Sequence, residues 1–120
     1  MNIRLSHRFY FEASHRLEHL GPGHPCYPLH GHSYQVELTI EGPVDPKTGF
    51  LMDYADIGKI ALPVIDRLDH THLNDIPDLK FTTTEFISHW LWDQLKPALP
   101  MLVEVSIRES RNTACTYRGE

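Results

Sequence analysis

Three histidines and one cysteine fall in two short stretches near the start of the chain. The first is Phe11-Glu12-Ala13-Ser14-His15-Arg16-Leu17 and the second is Cys26-Tyr27-Pro28-Leu29-His30-Gly31-His32-Ser33-Tyr34. His30 and His32 are two residues apart, so on an extended segment both imidazoles leave the same face. His15 closes another extended-looking run and offers a third nitrogen. Three neutral imidazoles around a tetrahedral zinc leave one position open, the pattern of a catalytic site. Cys26 stands four residues before His30, near enough to reach that position or a molecule held there. A neighbouring cation favours the thiolate, which could then be a base, a nucleophile or a fourth ligand.

A second constellation is Asp69-His70-Thr71-His72-Leu73-Asn74. A carboxylate beside an imidazole can orient it and stabilise its charged form. His70 and His72 also make a rival His-x-His pair, ranked lower because its surroundings read as loop and no second strand offers a third nitrogen. Glu109 shares strand parity with Val103, Val105 and Ile107. A carboxylate on an apolar face is costly unless paired, so Glu109 is either a strand end in water or an acceptor for paired N–H donors of a ligand. His7, His19, His24 and His89 read as ordinary histidines, and Cys115 as structural. The His30-x-His32 pair with Glu37 superficially suggests a cupin metal motif, but the glycines that motif needs are missing.

The elements that must position these groups follow from periodicity. Residues 3–13 alternate as a strand, with Phe9, Phe11 and Ala13 on one side and Arg8, Tyr10 and Glu12 on the other. Residues 18–29 are a Gly- and Pro-rich loop. Residues 31–41 form a second strand whose apolar face, Tyr34, Val36, Leu38 and Ile40, has the parity of His30 and His32. Residues 42–49 form a turn, and Phe50-Leu51-Met52 a short extended piece. Asp53 caps a helix with Ile57, Ile60, Ala61, Val64, Ile65 and Leu68 at helical spacing, and Pro63 inside it either kinks it or removes one hydrogen bond. Residues 69–82 read as loop. Thr82 and Glu85 fit a capping box opening a second helix that ends before Pro97. A strand through Val103, Val105 and Ile107 and a closing strand over 114–118 complete the order ββααββ, an α+β chain.

The 120 residues are expected to form a single domain over 1–120, small for an enzyme. A site in so small a fold often borrows residues from a neighbouring subunit. The formal charge is −5, without a Lys/Arg cluster, which argues against nucleic acid as a partner. Two cysteines make no disulfide framework, and the start Met-Asn-Ile-Arg-Leu-Ser-His has no apolar signal core. The expectation is a cytoplasmic protein with no membrane partner.

With these residues in place, the chain resembles the 6-pyruvoyltetrahydropterin synthase family along nearly its whole length. The resemblance rests on Phe11-x-Ala13-x-His15-x-Leu17, Cys26-x-x-x-His30-Gly31-His32-Ser33-Tyr34, Asp53-Tyr54, Leu68-Asp69-His70-x-x-Leu73-Asn74, Thr83-x-Glu85 and Cys115-x-Tyr117-Arg118-Gly119-Glu120. Three residues between cysteine and His-Gly-His resemble its bacterial 6-carboxytetrahydropterin synthase branch of queuosine (7-deazaguanine) synthesis; the animal pyruvoyl-forming enzymes have a longer gap. The resemblance implies a tunnelling fold (T-fold), a four-stranded antiparallel sheet with two helices on one face. It implies a homo-oligomer, a trimer or a dimer of trimers, with active sites between subunits. It implies zinc on His15, His30 and His32, Cys26 as proton acceptor, Asp69 with His70 as the partner relay, and Glu109, helped by Thr83, as the anchor of a pterin triphosphate substrate. Thr82 departs from the pattern, standing where the family usually has proline. Other readings of the residues are a pyruvoyl product on the same scaffold, a zinc hydrolase in which Cys26 is dispensable, and a non-enzymatic zinc-binding protein.

Overall fold

The computed structural model describes residues 1–120. Two long strands, β1 (Asn2–His15) and β2 (His30–Pro43), pair antiparallel over their whole length, from Asn2 opposite Pro43 to His15 opposite His30. Period-two alternation is the cause: Phe9, Phe11 and Ala13 are buried while Arg8, Tyr10 and Glu12 face water, and Tyr34, Val36, Leu38 and Ile40 continue the buried face on β2. The remaining elements are α1 (Tyr54–Asp66), β3 (Thr71–His72), α2 (Thr84–Leu95), β4 (Leu102–Arg108) and β5 (Cys115–Tyr117).

The sheet order is β3-β1-β2-β4-β5. The sequence reading expects four antiparallel strands; there are five, and β3 runs parallel to the end of β1, with Ala13 opposite Thr71 and Ser14 opposite His72. Only these two residues of β1 pair with β3, so the outer edge of β1 from Asn2 to Glu12 carries no neighbouring strand. Both helices lie on one face. Ile57, Ala61 and Ile65 of α1 and Ile87, Trp90, Leu91 and Leu95 of α2 join the buried sheet residues in one contiguous core.

Local signals explain the helix boundaries. Asp53 caps α1 by accepting from the Ala55 N–H at 2.9 Å. The helix passes through Pro63 to Asp66, so the proline leaves one carbonyl without its helical N–H but does not end the helix. The expected cap of α2 is corrected by one residue. Thr83, not Thr82, is the N-cap and accepts from the Phe86 N–H at 3.4 Å. Glu85 then falls too early for a capping box and accepts from the Thr84 hydroxyl at 3.0 Å instead. Phe50-Leu51-Met52, expected to be extended, lies in a bend.

Candidate metal centre and active site

The β1–β2 register sets the centre. His15 and His30 are directly opposed, and His32 faces Ala13 one step into the hairpin. All three imidazoles have the parity of the buried face, and their available ligand atoms lie within 4.8 Å of one another. Phe11 and Tyr34, stacked at 4.6 Å between ring centroids and fully buried, form the floor beneath them.

Second partners select which nitrogen each histidine presents. His15 Nδ1 lies 2.9 Å from the Thr82 carbonyl oxygen, which can only accept, so Nδ1 carries the proton and Nε2 has its lone pair free. His30 Nδ1 donates in the same way to the Pro28 carbonyl at 2.8 Å. His32 makes no side-chain hydrogen bond, and its Nε2 stands 3.8 Å from Glu109 Oε2. His15 is 1% exposed, and that desolvation pushes its pKa down to about 4; the neighbouring His30, His32 and His72 act in the same direction, against the Thr82 carbonyl. A buried imidazole that stays neutral near pH 7, with one nitrogen committed to a carbonyl and the other met only by the Tyr34 hydroxyl at 3.5 Å, is suited to ligate a metal. The set fits zinc: three nitrogens, no charge to compensate, and room for a fourth ligand.

A 340 Å³ cleft beside the triad is lined by His15, Cys26, His30, His32, Thr83 and Glu109, among others. Six residues singled out in the sequence thus meet in one place. Cys26 is held by its backbone: its N–H donates to His24 Nδ1 at 3.0 Å and its carbonyl accepts from the Leu17 N–H at 3.0 Å. His24, read as an ordinary histidine, therefore shapes the thiol-bearing loop. Glu109 follows β4 at the parity of Val105 and Ile107, and its carboxylate makes no hydrogen bond, leaving both oxygens for a ligand. The Tyr34 hydroxyl lies 3.5 Å from His15 Nε2, and its pKa is raised by burial and by Glu109, so it stays protonated.

Asp69 and His70 are not in this cleft. They meet each other, with His70 Nδ1 2.9 Å from Asp69 Oδ2. His70 has φ 58°, a left-handed turn that sends its N–H to the Glu12 carbonyl at 2.6 Å, while Asp69 Oδ1 accepts from the Glu12 N–H at 2.9 Å. The Glu12 N–H, with His70 as a second donor, holds the Asp69 carboxyl below its usual range and so ionised. His70 lines a separate open depression of 600 Å³ with Glu12, Ser14, Ser33 and His72. Glu12, Ser14 and Ser33 carry the strand parity opposite to the buried face, so this depression opens on the exposed side of the sheet, with Ala13 and His32 of the buried parity at its border. The rival pair at 70 and 72 does not assemble a ligand cluster: His72 Nδ1 lies 3.0 Å from the Ser14 hydroxyl instead. Cys115 is unpaired, 3.8 Å from the Ser88 hydroxyl, and remote from both groups. Sequence reasoning missed the acceptors Pro28 and Thr82. Their signal is proximity in sequence, two residues before His30 for one and next to the α2 cap for the other.

A family model described as 6-pyruvoyl tetrahydropterin synthase matches residues 4–120. The chain is 40% identical to the 6-pyruvoyl tetrahydrobiopterin synthase of Dictyostelium discoideum, over 98% of this chain and 97% of that one. It is 33% identical to the dihydroneopterin monophosphate aldolase of Pyrococcus furiosus, over 83% and 81%. The structure of Caenorhabditis elegans 6-pyruvoyl tetrahydropterin synthase superposes with a TM-score of 0.91 at 26% identity, covering 100% of this chain and 97% of that one. The chain belongs to the 6-pyruvoyl tetrahydropterin synthase family, a family of pterin-processing enzymes, and has its fold.

Two outcomes follow from the triad. Replacing His15, His30 or His32 with Ala should empty the centre of zinc, measured by atomic emission on purified protein, while His72→Ala retains it; the reverse pattern would move the metal to the 70/72 pair. The second concerns acid. An imidazole with a pKa of about 4 when folded and about 6.5 when unfolded favours the fold above pH 6.5, and that contribution fades as pH falls toward 4, by at most about 3 kcal/mol. Urea midpoints of chelator-treated protein should drop across this window, and His15→Gln should flatten the drop. Equal slopes in both proteins would remove His15 as the cause.

Proposed function

We propose that this chain is a zinc-dependent carbon–carbon lyase, a 6-carboxytetrahydropterin synthase. It would convert 7,8-dihydroneopterin triphosphate and one water to 6-carboxy-5,6,7,8-tetrahydropterin, acetaldehyde and triphosphate in queuosine synthesis. The observation that carries this reading is the convergence of His15, His30, His32, Cys26, Thr83 and Glu109 on one cleft. The carboxy product is favoured by the three residues between Cys26 and His30. The Dictyostelium relative, 40% identical, is by its name a pyruvoyl-forming enzyme. The second reading, a pyruvoyl product, has that same relative's name in its favour.

When bound, zinc supplies Lewis-acid polarisation of the substrate's side-chain hydroxyls. The rest falls to the chain. Glu109 accepts the paired N–H donors of the aminopyrimidinone edge, which fixes the ring, and Thr83 borders it at the start of α2. Cys26 accepts a proton from the side chain. Asp69 holds His70 by Nδ1, so His70 Nε2 is the atom that exchanges a proton. His70 borders the open depression and not the cleft of its own chain, so in this reading His70 serves the cleft of a neighbour. The unpaired edge of β1 supports the same conclusion, because open backbone donors and acceptors favour pairing with another copy. We therefore read the working form as a trimer or a dimer of trimers. No helix is long and apolar enough to cross a membrane, and the two free cysteines suit a reducing cytoplasm.

The test is incubation of zinc-loaded protein with dihydroneopterin triphosphate and identification of products by mass. A carboxylated pterin with acetaldehyde supports the proposal; a pyruvoyl pterin supports the second reading. In the same assay Cys26→Ala should keep its zinc and lose about 10²–10⁴-fold in single-turnover rate, whereas a hydrolase using metal-activated water would barely change. Sharing of residues is tested by subunit exchange. Cys26→Ala and His70→Ala, each inactive alone, should on mixed refolding regain up to roughly a quarter of wild-type activity, since random assembly restores one site in about four. No recovery in confirmed mixed oligomers would place His70 with its own chain's cleft.

A further inference from the structure

We infer that the Thr82 side-chain hydroxyl is a positioning group for the metal ligand His15, holding its ring plane and reinforcing the tautomer that the Thr82 carbonyl sets; the inference rests on the metal-centre reading above. His15 Nδ1 has two oxygens of one residue within reach, the Thr82 carbonyl at 2.9 Å and the Thr82 hydroxyl at 3.2 Å. The carbonyl can only accept, so the proton is on Nδ1 and the hydroxyl must accept a share of it. The hydroxyl then directs its own hydrogen elsewhere, and the Arg16 carbonyl lies 3.5 Å away. The three contacts agree on one assignment of hydrogens. They leave His15 Nε2 as the lone-pair nitrogen facing the centre.

Thr82 is 3% exposed and His15 1% exposed, so neither has water as an alternative partner. Two acceptors on one N–H increase the electron density of the ring and resist its rotation, both of which strengthen a metal bond at the far nitrogen. The one-residue shift of the α2 cap is what makes this possible. Thr83 takes the capping task, and the Thr82 hydroxyl is free to turn inward. The site departs from the family resemblance here: proline at this position would keep the carbonyl acceptor and lack the hydroxyl.

The structure also permits a clean subtraction. Without the hydroxyl, His15 Nδ1 keeps the Thr82 carbonyl, and the Arg16 carbonyl keeps the Asn74 Nδ2 donor at 2.9 Å. Valine matches threonine in shape, so Thr82→Val strands no buried group, and Thr82→Ser restores the oxygen without the methyl.

The experiment measures zinc affinity of the metal-free wild type, Thr82→Val and Thr82→Ser by competition with a chromogenic chelator at one pH. It also records the visible d–d spectrum of each protein loaded with Co²⁺. Outer partners of metal ligands are worth about 10–100-fold in affinity. With the carbonyl retained, Thr82→Val should bind zinc about tenfold more weakly and shift the Co²⁺ bands. Thr82→Ser should stay close to wild type, and all three should unfold at similar temperatures without metal. Wild-type affinity and superimposable Co²⁺ spectra for Thr82→Val would overturn the inference. So would an equal loss in both variants, or a loss matched by a lower metal-free unfolding temperature, since these mark a packing role. A wild type that binds no zinc would overturn the metal reading as well; a zinc-binding wild type with an unaffected Thr82→Val overturns the inference alone.

Discussion

Everything in this structure that could do chemistry depends on one register, His15 against His30 across the β1–β2 ladder. Side chains alternate faces with a period of two, so this pairing puts His15, His30 and His32 on the same side as the core and aims three nitrogens at one point. A slip of one residue would turn β1 or β2 over and separate the ligands. The same slip would expose Phe9 and Phe11 if β1 turned, or Tyr34, Val36, Leu38 and Ile40 if β2 did. The pairing that assembles the centre is therefore held by the burial of one strand's large apolar side chains, each worth roughly 1.5–3 kcal/mol when sequestered. The candidate metal site draws on this burial, because a one-residue slip that scattered its ligands would also cost the sheet part of its core.

Burial sets the chemistry of the ligands as well as their position. Removing His15 from water disfavours its charged form, and a ligand must be neutral to bind a cation. Desolvation alone would leave both ring nitrogens without partners, which is costly. The backbone carbonyls of Thr82 and Pro28 resolve this by taking Nδ1–H of His15 and His30. One nitrogen is satisfied on each ring, and the other turns to the cleft. The Pro28 and Thr82 carbonyls thereby act on the centre although neither residue lines the cleft.

Much of this was legible in the sequence because it rests on short-range periodicity. The two long strands, the His-x-His pair on the apolar parity, the Asp53 cap and the two helices all follow from spacing that a reader can count. What was not legible has a common cause. β3 is two residues long and shows no alternation, and only the fold brings Thr71 and His72 beside Ala13 and Ser14. Thr82-Thr83-Thr84 offers three equivalent caps, and the choice among them is made by a contact with His15, distant in sequence. Asp69 and His70 are adjacent in sequence and do pair, but their face of the sheet is decided by the left-handed turn at His70 and its bonds to Glu12. Spacing identifies the members of a site where one regular element carries them. It fails where a tertiary contact selects among equal local choices.

The separation of the two groups follows from the size of the fold. A single-layered sheet has a covered face and an open face. Helices over the first create the dry end where a neutral His15 survives; the second stays wet, and the ionised Asp69 with its exposed His70 belongs there. Within one chain His70 lines the open-face depression and Cys26 lines the cleft, and of the lining residues only His32 borders both. A neighbouring copy can bring the two together by laying its open face and its unpaired β1 edge against the first chain's cleft. In the proposed function, a base near the metal and a relay kept ionised by the Glu12 N–H and His70 are prepared separately and combined on assembly. Oligomerisation in this reading is what allows a 120-residue chain to hold both a desolvated metal centre and a solvated acid–base pair.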